Sequence, residues 1–233
     1  MPLFFLNYCL YCIHMLKIIY SGDNLAEIEK EVFAAFDFLC DFFKLEISDV
    51  VVHVYKTRAE FDKQLGMETA SWLVANASNN GEIDILSPSA MEKESSHEKS
   101  EFPQILKHEF THLFVDGLTK GKSVPKWLNE GLAAYIAKQH QNYKGSLYFE
   151  ENFCQKLSTP LGWDNNVNYG AYTISALFVN FLITRYSFNK VKELLASLDK
   201  SYRYPNFKKI FSAVYKKDLD DMEQLFVSEI NSQ

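Results

Sequence analysis

Between residues 106 and 114 the chain reads LKHEFTHLF, with His108 and His112 four positions apart and Glu109 directly after the first histidine. A helix advances about 100° per residue, so the two imidazoles project from one face a turn apart and can meet one metal ion. Glu109 is displaced around the helix. It is badly placed as a third ligand but can reach a water held by that ion, which is where a general base belongs. An open zinc site takes three protein ligands and leaves a fourth position for water. The third ligand is therefore sought downstream, and Glu130, in VPKWLNEGLAAYIA, is the candidate.

The elements around these residues follow from periodicity and turn chemistry. Phe102, Ile105, Leu106, Phe110, Leu113 and Phe114 predict a strongly apolar helix over 102–116, so its histidines belong to a largely buried element rather than to an ordinary surface helix. Pro103 suits its first turn and Gly117 is placed to close it. A second helix is expected over 124–141, with Ser123 as cap and Pro125 in the first turn. The GLTKGKS loop between the two would return the chain so that Glu130 lies beside His108 and His112.

Upstream, LKIIYSGD predicts a short strand ending in a turn, NLAEIEKEVFAAFDFLCDFF a helix, VVVHVY a β-branched strand at 50–55, and TRAEFDKQLG a short helix closed by Gly66. SWLVANA and EIDILSP, separated by Ser78, Asn79, Asn80 and Gly81, predict a hairpin. Residues 89–100, including MEKESSHEKS, read as a solvated loop. Beyond 141 the pattern predicts helices over 169–186, 189–199, 206–215 and 218–231. The expected fold is α+β: a mixed lobe at about 17–118 with a strand hairpin, then a helical lobe at about 119–233, with the metal site at the junction of one catalytic domain.

The bulk properties are those of a globular chain. The 233 residues can bury a core without staples, 47% are hydrophobic, and Phe (19) and Tyr (13) make that core aromatic. A net charge of −6 without a basic run argues against a nucleic-acid partner. Cys9, Cys12, Cys40 and Cys154 do not form a disulfide framework, and the Cys9-x-x-Cys12 pair has no second pair to complete a metal site. The apolar segment 1–16 leaves open a poor signal peptide, a buried strand or a start at Met15. The cytoplasm is then the default compartment, with secretion and membrane association left open.

HEFTH followed by WLNEGLAAY resembles the gluzincin metallopeptidases, the group of thermolysin and aminopeptidase N, and most closely their short peptidase MA-like members. The resemblance implies a zinc metallopeptidase with a thermolysin-like fold, one Zn2+ per chain held by His108, His112 and Glu130, and Glu109 as base. YTISALFVNFLITRYS is similar to the segment whose tyrosine supports the oxyanion, which implies that role for Tyr172 rather than Tyr169. The hairpin resembles the one that precedes the histidine motif in the family, which implies substrate pairing along Trp72, Leu73, Val74 and Ala75. No Gly-x-Met-x-Asn stretch is present to bind a free amino terminus, so an endopeptidase acting on a peptide or protein is expected. The alternatives are a catalytically silent gluzincin-like binding module and a structural zinc protein. The latter would need a closed, cysteine-rich ligand set, and no cysteine lies near the motif.

Overall fold

The computed structural model describes residues 16–20, 22, 24–78, 80–142 and 152–231. The Cys9-x-x-Cys12 pair, Met15 and Asn79 lie outside the described residues. The chain divides into two compact units, Met1–Leu113 and Phe114–Gln233, and the dividing line falls within one helix, Phe102–Thr119.

The first unit holds β1 (Leu16–Ile19), α1 (Leu25–Phe43), β2 (Val50–Tyr55), α2 (Arg58–Leu65), β3 (Ala75–Ala77), β4 (Glu82–Leu86), α3 (Pro88–Glu94) and most of α4 (Phe102–Thr119). The four strands form one sheet in the order β1-β2-β4-β3. The first three run parallel and β3 pairs antiparallel with β4. Val50, Val52 and Val54 alternate into the core along β2, as a strand with one covered face must. The expected hairpin forms, with Gly81 at φ 86 in its turn, in the left-handed region that glycine adopts without penalty. A Cβ there would also approach the Asp49 carbonyl to 3.2 Å. Its first strand is shorter than expected, since β3 covers only Ala75–Ala77 of SWLVANA.

The supposed solvated loop over 89–100 is largely helical. Ser87 caps α3 by accepting from the Ala90 N–H at 3.3 Å, and Pro88 fills the first turn. A 3-10 turn, Lys99–Glu101, then leads into α4 through a reciprocal capping box between Glu98 and Glu101. His97, expected at the surface, is half-buried and bridges the Trp72 carbonyl (3.0 Å) and the Glu101 carboxylate (2.9 Å).

The second unit contains α5 (Lys126–Ile136), α6 (Phe153–Lys156), α7 (Pro160–Asp164), α8 (Ala171–Tyr186), α9 (Phe188–Ser197), α10 (Tyr204–Tyr215) and α11 (Leu219–Ile230). An aromatic core joins Trp127, Phe153, Phe178, Phe181, Phe207 and Phe226, with Phe178 at 5.1 to 5.9 Å from four of the others. The fold is therefore α+β and mostly helical, with one small four-stranded sheet.

Candidate metal centre

Helix α4 is anchored by its apolar side chains. Phe110 meets Phe36 of α1 edge-on at 5.5 Å, and both are fully buried, while the Lys107 ammonium lies 4.8 Å from the ring of Phe38. Burying two such phenylalanines contributes roughly 3 to 6 kcal/mol before entropy is subtracted. Polar side chains share this buried stretch: His108 and Glu109 are buried and His112 is half-buried. The helix does not stop at Gly117. It continues to Thr119 and turns through Lys120 (φ 55) and Gly121 (φ 71), with the Gly121 N–H bonded to the Asp116 carbonyl.

Helix α5 begins without a side-chain cap. Pro125 holds the cap position, and Ser123 instead donates to the Lys200 carbonyl at 3.0 Å. The first N–H groups of α5 are satisfied by main chain from beyond α6: Lys126 donates to the Ser158 carbonyl and Trp127 to that of Leu157, both at 3.0 Å. Trp127 below them is fully buried against Phe178 and Phe207. This seating sets the rotation of the helix and with it the direction of Glu130, one turn further on.

Gly131 follows for a steric reason. A Cβ at that position would lie 2.7 Å from the backbone of Ser175 in α8, closer than real contacts allow. The glycine after Glu130 therefore lets α8 pass directly against α5.

The result is a cluster of three donors. One ligand atom from each of His108, His112 and Glu130 lies within 4.8 Å of the other two. The imidazole rings are 4.9 Å apart and nearly perpendicular. Donors at about 2.0 to 2.2 Å from a tetrahedral ion stand roughly 3.3 to 3.6 Å apart, a spacing of the same order as that of this group. The Glu130 carboxylate, 6% exposed, already meets a cation, the Lys126 ammonium, at 2.6 Å. Two imidazoles and a buried carboxylate are donor types that could hold a divalent metal ion.

The other expected residues are distributed as follows. Glu109 is buried on α4 next to His108. Tyr172 lies half-buried in the first turn of α8, its ring edge-on to Trp163 at 4.8 Å, and three residues before the Ser175 that meets Gly131. Tyr169 sits outside that helix in a 3-10 turn and is 77% exposed. Of the expected pairing residues only Ala75 is in β3, while Val74 continues the ladder by accepting from the Leu86 N–H. Trp72 and Leu73 belong to a loop, and Trp72 is 55% exposed.

That loop is pinned by side chains that sequence reasoning does not single out. Arg58 donates to Thr69 Oγ1 (2.7 Å) and to the carbonyls of Ala70, Ser71 and Leu73. Asp62 accepts from the N–H and hydroxyl of Thr69, and His97 takes the Trp72 carbonyl. Lys126 is also missed, although its i,i+4 spacing to Glu130 is a legible signal.

Two consecutive helices bringing two histidines and a glutamate together, with Glu109 buried next to His108 in the chain, describe a metallopeptidase-like domain with a candidate metal centre. Residues 98–232 match the family model described as the Peptidase MA superfamily, which covers more than half of the chain. The chain belongs to that superfamily. No curated protein matches it.

Proposed function

We propose that the protein is a zinc-dependent peptidase of gluzincin type that hydrolyses internal bonds of peptide or protein substrates. The observation that carries this reading is the convergence of His108, His112 and Glu130, with Glu109 following His108 on α4. Zinc in such a site lowers the pKa of its water and polarises a carbonyl oxygen. The chain's own groups then have separate tasks. Glu109 takes the proton from the attacking water and returns it to the leaving amine. The Tyr172 hydroxyl donates to the oxygen on which negative charge develops. An extended substrate pairs with the outer side of β3, which is an edge strand with β4 as its only neighbour in the described sheet. The pinned loop through Trp72 supports the start of that strand. The same reading gives one Zn2+ per chain. The thermolysin-like arrangement of the family is the fold we infer around it.

Among the described residues no helix is long and apolar enough to cross a membrane. The experiment that tests the reading pairs zinc analysis of the dialysed protein with cleavage of a peptide library. One zinc per chain and cuts inside peptides are expected. A zinc-loaded protein that binds library members and cuts none would instead mark a binding module.

A further inference from the structure

Lys126 and Glu130 stand four apart on α5, and the ammonium meets Glu130 Oε1 at 2.6 Å. Their surroundings are unequal. The carboxylate side chain is 6% exposed, whereas that of the lysine is 36% exposed and keeps contact with water. The lysine is also fixed at its root, because its backbone N–H is one of the two that dock the helix on the Ser158 and Leu157 carbonyls. This pair is thus held in place from the backbone outward, unlike an exposed ion pair, whose two long side chains must be ordered for little return.

The carboxylate that the ammonium neutralises is one of the three metal donors. A cation on Glu130 and a divalent ion a few ångströms away draw on the same negative charge. Each weakens the other's hold, since two positive charges on one carboxylate also repel. We propose that Lys126 is a positioning residue that serves as a built-in counter-ion for Glu130, keeping the ligand helix folded before metal enters at the cost of weaker metal affinity. The inference rests on the metal reading above and adds to it the sign of the effect of one side chain. A purely orienting hydrogen-bond partner has the opposite sign, because loss of such a partner typically weakens metal binding 10- to 100-fold.

The test is zinc affinity by chelator competition, with thermal unfolding of each protein stripped of metal and reloaded. Lys126→Met should unfold several degrees below wild type when stripped, bind zinc about tenfold or more tightly, and gain more from zinc on reloading. Lys126→Arg keeps the charge and should stay near wild type in both readouts. Lys126→Gln serves as the second neutral variant should the methionine protein not fold. Weaker or unchanged zinc binding in the neutral variants, with wild type still taking one zinc, overturns the counter-ion role and leaves the metal reading standing. A wild-type protein that takes no zinc overturns both.

Discussion

At the scale of single residues the two glutamates near the histidines should fail in different ways. On the proposed reading Glu109→Gln removes the base but not a donor, so it should keep zinc and lose hydrolysis. Glu130→Ala removes a donor and should lose zinc affinity. Metal content and turnover measured on both variants check this, and a reversal of the two phenotypes would exchange the roles. Tyr172→Phe should lower kcat by roughly one to three orders of magnitude, about 1.4 to 4 kcal/mol, with KM little changed, because a donor aimed at the oxyanion acts mainly in the transition state. Tyr169→Phe is the control, since its ring is largely in solvent outside the helix. If Tyr169→Phe were the crippled variant, the oxyanion role would pass to that residue.

At the scale of elements, the crossing of α5 and α8 depends on the missing side chain at Gly131. Gly131→Ala offers about 1 kcal/mol of helix propensity, but its methyl would press on the backbone of Ser175, which has no rotamer to yield. A net loss of about 1 to 2 kcal/mol in chemical denaturation is expected, with weaker zinc binding as α5 shifts; a stabilised variant would mean the helices separate freely. His108, His112 and Glu130 are legible in the sequence because helical spacing and a short motif are local. So are α1, β2 and α2, whose periodicity, Thr57 cap and Gly66 stop agree with one another. The stretch 89–100 is not, because its polar composition hides the Ser87-Pro88 helix start. The sheet order is only half legible: the β3–β4 hairpin follows from a local turn, but the parallel pairing that sets β4 beside β2 is one that no local pattern encodes. The Arg58 clamp spans 15 residues to Leu73 and exists only once the chain has folded.

At the scale of the whole molecule, α11 contributes a buried acid that no step of the proposed chemistry uses. Glu223 is 2% exposed and both its oxygens lie without a well-formed hydrogen bond. Burial, aided by Asp220, raises its pKa from the ordinary 4.5 to about 7, against the opposing pull of the Phe153 and Cys154 N–H groups. The folded state therefore favours the protonated acid. Its contribution is fully present below about pH 4.5 and is lost as pH rises through about 7, on the order of 3 kcal/mol in all. Glu223→Gln should flatten the fall in unfolding free energy between pH 5 and 8, and an unchanged slope would assign the loss to other groups. The N–H groups that Glu223 faces open α6, and the carbonyls just beyond α6 start α5. That arrangement has a consequence for the order of folding. The first turn of the helix bearing Glu130 is closed by residues some thirty positions later in the chain, so it is completed only after that later segment has docked. Zinc should accordingly be captured late in refolding. Started in the presence of the metal, refolding should show burial of Trp127 leading zinc uptake, whereas uptake in the earliest phase would mean that the ligands assemble without their cap.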